Sequence, residues 1–328
     1  MAFLGFEYDE QADSRIGQRI AELLSEVLAL NPALKVLGPE VAGDLANGPL
    51  PRMAALVRGE DVASLGARLQ VDAVVTGQAY ALEGRFFVVA KVVGCASGRV
   101  FGAGADGLVQ APLTDIVEAL APGVDDLLAE RRPELTLPAG EVRRAEETTE
   151  ARVRALSRQR EPPPVILLVA QPEGTAGNPA AIAQDRLSQL VRRIGMTARA
   201  PRAADLLEWA HAVNAGGKSE VPGPLRGQGI IVAMSLGLEA GEERGPLNVA
   251  NALADVVWLD ARDGARLASA RLARPALARG GEGAAGAAAR RVAEAAFRQS
   301  FTAALSRWEA RHREEQEGAA GGAPAQSP

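Results

Sequence analysis

Two glycine-bearing stretches of this chain place residue types at spacings that could do chemistry. Phe101-Gly102-Ala103-Gly104-Ala105-Asp106-Gly107 contains a literal G-x-G-x-x-G. In a dinucleotide fold such glycines let backbone N–H groups approach a pyrophosphate at a helix N-terminus. That use requires a helix to begin at once, and here Leu108 to Pro112 intervenes after a strand of a hairpin series. The stretch therefore reads as a small-residue strand end. Ala212-Val213-Asn214-Ala215-Gly216-Gly217-Lys218-Ser219 fits a relaxed phosphate loop with Ala in the first glycine position. Gly217, Lys218 and Ser219 would then bind a nucleotide, backbone N–H groups cradling phosphate while Lys218 neutralises it. Such a loop wants a strand before it and a helix after it. A helix precedes this one and Pro222 and Pro224 follow, which favours a flexible loop. A nucleotide- or small-molecule-binding protein, an enzyme included, using this loop or a cleft between domains is kept as the alternative reading.

The remaining reactive side chains are few. His211 and His312 are the only histidines and Cys95 the only cysteine, too few for a Cys/His zinc site of the usual ligand count. Ser-His-Asp chemistry would depend on His211, which sits beside Trp209 and alanines on a helix and reads as structural. Cys95 reads as a small hydrophobe in a core strand. Asp255, Asp260, Asp263, Glu239, Glu242 and Glu243 fall at strand ends and in a loop, where solvated charge is ordinary. No catalytic residue, cofactor or metal is expected.

The elements that would position these residues come from pattern. The chain has 328 residues, enough for two domains, each with its own core. A net charge of −5 argues against a general nucleic-acid binder. One cysteine cannot form an internal disulfide, and the apolar run Val165 to Ala170 is too short to cross a bilayer. Met1 to Phe6 has no basic start or cleavage site and reads as a strand, so the chain as written is expected to stay in the cytoplasm.

Residues 3–7 read as a strand, followed by a loop with Asp9, Glu10 and Asp13. Ile16, Ile20, Leu23, Leu24, Val27 and Leu28 form a helical stripe that Asn31-Pro32 ends. A strand over Leu34 to Leu37 and two short helices follow, the second capped by Asp61. Three strands, 73–80, 86–93 and 99–105, turn at Glu83-Gly84 and Ser97-Gly98. A helix from about Leu113 should kink or split at Pro122-Gly123. Residues 139–161 read as a charged connector with an i,i+4 pair of Glu150 and Arg154, closed by Pro162-Pro163-Pro164.

The block from Val71 to Phe101 recurs, more loosely, from Gly229 to Ala268, with Gly98 and Gly264 at the matching turn. Its strands are 230–238, 249–259 and 266–273. Ahead of it stand strand 165–170, a helix begun by Asn178-Pro179, a short strand at 196–199 and a helix at 203–212. A last helix carries Phe297, Phe301, Leu305 and Trp308 on one side, with a disordered tail from about His312. The fold class is α/β (α+β): two tandem similar domains, each a mixed, mainly antiparallel sheet packed against helices. The expected boundaries are 1–135, a linker at 136–163, a diverged second domain at 164–311 and a tail at 312–328.

Leu4-Gly5-Phe6, the helix from Ile16 to Leu28, Gly66-Ala67-Arg68-Leu69 leading into Asp72-Ala73-Val74-Val75-Thr76-Gly77, and the turn Ser97-Gly98-Arg99-Val100 carry a resemblance. Over residues 2–130 the chain resembles a bacterial envelope-assembly family. That family includes the curli-secretion lipoprotein, the flagellar outer-membrane assembly proteins, the lipoprotein activators of penicillin-binding proteins and TolB-like N-terminal domains. In the second half only the plan survives: Met234 stands where Gly77 aligns. The resemblance implies a non-catalytic scaffold or adaptor whose partners are envelope proteins or other molecules of itself, without nucleic acid. It implies a periplasmic or outer-membrane-associated place if a leader is missing from this chain. The curli channel builds its pore from long alternating strands, no such insertion is visible here, and a pore is not expected.

Overall fold

The computed structural model describes residues 1–8, 14–46, 62–137, 151, 153, 155, 162–172, 175, 177–201, 203–217, 220–227 and 229–321. Two compact units form. The first draws on Met1–Glu147, Ala240–Asn251 and Pro275–Arg291, the second on Thr148–Glu239, Ala252–Arg274 and Val292–Pro328. Asp9, Glu10, Asp13, Asp61, Glu150 and Arg154 lie outside the described residues, as does most of the 139–161 connector.

In the first unit, β1 (Ala2–Tyr8) runs parallel to β2 (Ala73–Leu82). Such a pair needs a crossover, supplied by α1 (Ser14–Leu28), α2 (Pro39–Ala46) and α3 (Val62–Leu69). β3 (Arg85–Gly94) and β4 (Val100–Leu108) add antiparallel hairpins, giving the order β1-β2-β3-β4. Glu83 and Gly84 both take positive φ (49° and 77°), the two-residue turn whose twist suits a hairpin. The α1 stripe is buried as read: Ile20, Leu24 and Leu28 pack with Phe3, Val75, Val88 and Val92. Gly17 permits that approach, since a Cβ there would sit 1.8 Å from the Phe6 carbonyl oxygen.

α4 (Leu113–Glu130) and α5 (Arg132–Thr136) close this sheet. α4 continues through Pro122 instead of splitting there. Ile116, Val117, Leu120, Ala121 and Val124 are all buried in the core it covers, which outweighs one lost backbone bond. Leu34 to Leu37 is not a strand. It makes one parallel bridge, Leu37 to Ala2, because Pro39 opens α2 immediately afterwards.

The second repeat builds β5 (Val165–Ala170), α6 (Pro179–Arg193), β6 (Ala198–Arg199) and α7 (Ala204–Asn214). Asn178 caps α6 through Ala181 N–H at 3.1 Å. The hairpins β7 (Ile230–Arg244), β8 (Leu247–Asp260) and β9 (Arg266–Arg279) complete a sheet of order β6-β5-β7-β8-β9. The repeat is exact enough to share backbone bonds. Gly98 and Gly264, at φ 65° and 76°, donate to Gly94 and Asp260, each at 2.9 Å. Gly94 and Asp260 donate in turn to Arg99 and Ala265, also at 2.9 Å. β5 lies parallel to β7 as β1 does to β2.

Strands β7 to β9 run 15, 14 and 14 residues, beyond the 230–238, 249–259 and 266–273 read from pattern. Glu239, Glu242 and Glu243 therefore lie in a strand, not a loop. The far ends extend because they bury Leu247, Val249 and Leu277 in the core of the first unit, and tertiary pairing overrides the weak β propensity of Glu-Ala-Gly-Glu-Glu-Arg. The last helix, α8 (Gly281–Gly321), also outruns expectation, passing His312 where a tail was read.

A buried polar node ties these late segments to the early ones. Asp125 accepts from Asn31 Nδ2 at 2.7 Å and from Leu277 N–H at 2.8 Å, and pairs with Arg291 at 2.9 Å. Arg291 also meets Asp126 and the Pro275 carbonyl, both at 2.8 Å. Burial alone would lower the Arg291 pKa, but the two carboxylates outweigh it and hold the guanidinium above its ordinary value.

In the second unit, Leu206, Ala210 and Val213 of α7 pack on Ile231, Ala233, Val257 and Leu259. Phe297, Phe301, Leu305 and Trp308 of α8 are buried, and Phe301 meets Trp258 edge-on with ring centroids 5.5 Å apart. Trp258 Nε1 donates to Ser300 Oγ at 2.7 Å.

Candidate functional site

The first sheet is covered unequally. One face, with Val75, Ala79, Val88, Ala90 and Val92, is buried under α1 and α4. The other carries Val74 and Val93 beneath Ala42, Val62, Leu65 and Leu69 of α2 and α3, and among the described residues that cover stops near Thr76. Thr76 itself is buried, its hydroxyl donating to the Gly5 carbonyl at 3.0 Å. Further along the same face, Tyr80 (40% exposed), Leu82 (56%) and Leu108 (58%) are open. Tyr80 stacks on its cross-strand neighbour Phe87 with centroids 5.3 Å apart. Strand alternation fixes this grouping: Tyr80 opposes Phe87, Leu82 opposes Arg85, and Arg85 opposes Leu108.

The rim of this face is β4, an edge strand. Gly94 N–H bonds to the Arg99 carbonyl and Val109 N–H to the Gly84 carbonyl, at 2.9 and 3.0 Å. Antiparallel alternation then turns the odd-numbered residues of β4 towards β3. The N–H and C=O groups of Val100, Gly102, Gly104, Asp106 and Leu108 point outwards, and all five residues are exposed. A Cβ on Gly102 or Gly104 would meet nothing nearer than 3.7 Å. Asp106 is the only charge on the strand and pairs with Arg85 of β3. Aromatic and aliphatic side chains beside an unpaired backbone edge offer contact area and directional hydrogen bonds to another chain.

The residues singled out from sequence lie elsewhere, or have other partners. Gly102, Gly104 and Gly107 are inside β4, and the next helix starts only at Leu113. Gly217 stands at the C-terminal end of α7, its N–H bonded to the Ala212 carbonyl at 2.8 Å. A helix C-terminus presents carbonyl oxygens and the negative end of the dipole, which repel phosphate. Lys218 and Ser219 lie outside the described residues.

His211 Nδ1 is 3.0 Å from Ser235 Oγ, and among the described residues no carboxylate orients its other nitrogen. An open depression of about 250 Å³, which His211 does not line, is bordered by Asn214, Asp255, Arg266, Ser269 and Arg271. Asp255 is held by Arg271 at 2.6 Å. Asp260 is buried and bonded to Arg262, with Arg311 nearby, and Asp263 pairs with Arg311. Burial would raise the Asp260 pKa, but hydrogen bonds and charge from Arg262 win and hold it below the ordinary value. His312 lies on Trp308, with ring centroids 3.7 Å apart.

Cys95 follows β3, one residue past its end, and packs against Gly66 of α3; burial pushes its pKa up to about 11. Among the described residues no cluster of His, Cys, Asp or Glu could hold a metal ion, and no helix is long and apolar enough to cross a membrane.

The open face was not singled out in the sequence. Gln78-Ala79-Tyr80-Ala81-Leu82 is apolar on both alternating sides, so period alone does not say which side a helix covers. Among the described residues the helices over this face, α2 and α3, have eight residues each, against ten in β2.

No protein-family model and no curated protein matches the chain. Among solved structures it is similar to the PelC dodecamer from Paraburkholderia phytofirmans, at 15% identity over 44% of this chain and 88% of that one, TM-score 0.28. It is similar to lipoprotein GNA1162 from Neisseria meningitidis, at 14% identity over 41% of this chain and 97% of that one, TM-score 0.26. A third is the hypothetical protein CT253 from Chlamydia trachomatis, at 12% identity over 35% and 72%, TM-score 0.25. These neighbours are bacterial proteins, a lipoprotein among them. At such scores the likeness assigns no activity to this chain.

Proposed function

We propose that this protein is a non-catalytic scaffold or adaptor in bacterial cell-envelope assembly that works by protein–protein contact. The observation that carries the reading is the uncovered face of the first sheet, where Tyr80, Leu82, Phe87 and Leu108 lie together beside the unpaired β4 edge. A monomer gains nothing by leaving stacked aromatics and two leucines in water, whereas a partner that covers them gains their burial. The envelope setting is supported by the sequence resemblance of residues 2–130, and a periplasmic or outer-membrane-associated place goes with it.

The test is affinity capture from a bacterial envelope fraction with the full chain and with Leu82→Asp/Leu108→Asp. Both side chains are more than half exposed, so the variant keeps its fold, which circular dichroism checks. Capture of an identified envelope-assembly protein by the wild type and its loss in the variant is the expected result. Equal capture by both, or turnover of a substrate by the pure protein, overturns the reading.

A further inference from the structure

We infer that the first sheet pairs with its counterpart in a second molecule of this chain, β4 against β4 antiparallel about Gly104, making one continuous eight-stranded sheet across a two-fold axis. The inference concerns assembly of the molecule and stands whether or not the envelope role holds.

The described strands leave four sheet edges, and a protein must prevent each from pairing at random. β1 is bridged by the segment between α1 and α2: Phe3 N–H bonds to the Leu37 carbonyl and Leu37 N–H to the Met1 carbonyl, at 2.9 and 3.0 Å. β6 has only two residues. β9 carries Arg266, Arg271, Arg274 and Arg279, with Pro275 among them. Charge and proline are the usual guards. β4 has neither a proline nor a cation, and its outward positions include Gly102 and Gly104.

The register follows from three features. Only even-numbered residues of β4 have outward backbone groups, so they must oppose one another. Centring on Gly104 pairs every outward residue from Val100 to Leu108, sets Val100 against Leu108, and places glycine on glycine at the axis. It also sets Asp106 of one molecule opposite Gly102 of the other. Gly102 opposes Lys91 on β3 and has no side chain to intervene. Lys91 and Asp106 would then be two strand spacings apart, about 10 Å between backbones, a span their side chains close. Shifting the register two residues either way puts Asp106 beside Val89 or Val93 instead. Among the described residues Lys91 makes no ion pair within its own chain. Directly opposed residues of antiparallel strands share a face, so the two uncovered faces would join on one side.

Sedimentation of the full chain at about 10–100 µM tests this, together with Gly104→Arg, Lys91→Glu, Asp106→Lys and the Lys91→Glu/Asp106→Lys pair. The wild type is expected to be a dimer. Gly104→Arg sets like charges together on the axis and should weaken association about 100-fold or more; its side chain enters open space, so the far-UV circular dichroism of the fold should not change, while the melting point loses its dependence on protein concentration. Each single charge change should weaken association about tenfold, and the double variant should restore part of it, since Asp106→Lys also gives up the pair with Arg85. That rescue cannot arise within one chain, since Asp106 lies opposite Phe87, four residues from Lys91 along β3. A monomeric wild type, a Gly104→Arg variant that remains dimeric, or no rescue by the double variant would overturn the inference.

Discussion

β4 and β9 are the same strand in two repeats. Each is the third member of the hairpin block, each follows the same glycine turn, and each forms the last edge of its sheet. They have diverged in opposite directions. β9 has lengthened to 14 residues and acquired four arginines and a proline, while β4 has nine residues, three glycines and one carboxylate. The shared plan leaves two comparable edges, and one is guarded. The difference is why the proposed contact surface is placed on the first repeat, with the second repeat's edge in a supporting role.

That supporting role gives the largest expected effect. β9 is anchored through Leu277 N–H to Asp125, so Asp125→Ala removes one of the two carboxylates that hold buried Arg291 and orphans two donors, Leu277 N–H and Asn31 Nδ2. Breaking a buried pair costs about 3–5 kcal/mol, and urea denaturation should show a loss of that size. A loss below about 1 kcal/mol would mean that the late segments are held by apolar burial alone.

Next comes exchange of the guards. Arg271→Thr/Pro275→Thr on β9 should raise concentration-dependent light scattering, because the edge loses a charge and its proline. Arg271 is exposed and pairs only with exposed Asp255, so stability itself should fall by less than about 1 kcal/mol. Unchanged scattering would show that β9 is closed by something other than its side chains.

The turn that starts each edge strand differs too. Gly94 in the first repeat is pressed against Leu135, where a Cβ would lie 2.4 Å from the carbonyl oxygen; its counterpart Asp260 instead holds Arg262. The Asp260 pKa is lowered on folding. Its contribution is therefore complete above the unfolded value of about 3.9 and disappears as pH falls through the folded one. Asp260→Asn should be less stable at pH 7 and show a smaller acid-induced loss below about pH 4. Equal pH slopes for both proteins would contradict this account of the turn. The smallest effect is chemical: Cys95, with its pKa near 11, should alkylate at pH 8 about 100-fold or more slowly than a free thiol.

Much of this was legible in the sequence. Stripes of period 3.6 placed α1 and the buried side of α8, Asn178-Pro179 placed the start of α6, and two glycines marked the duplicated turn. The unread parts are those fixed by distant partners. Glu239 to Arg244 has no strand preference of its own and is extended because Leu247 and Val249, on the strand it turns into, are buried. Pro122 reads as a break, yet the apolar residues around it are worth more buried than the bond it forfeits. The open face escaped notice because Tyr80 and Leu82 look like core residues. Gly217, kept only as an alternative because a helix precedes its loop and prolines follow, stands at a helix C-terminus.

Amide hydrogen exchange along β4, at low and high protein concentration, tests the open-edge account most directly. Phe101, Ala103 and Ala105 bond to β3 and should be protected at both concentrations. Gly102, Gly104 and Asp106 should exchange freely when dilute and become protected as molecules pair. Protection of those three that ignores concentration, or a concentration-dependent gain along β9 instead, would contradict it.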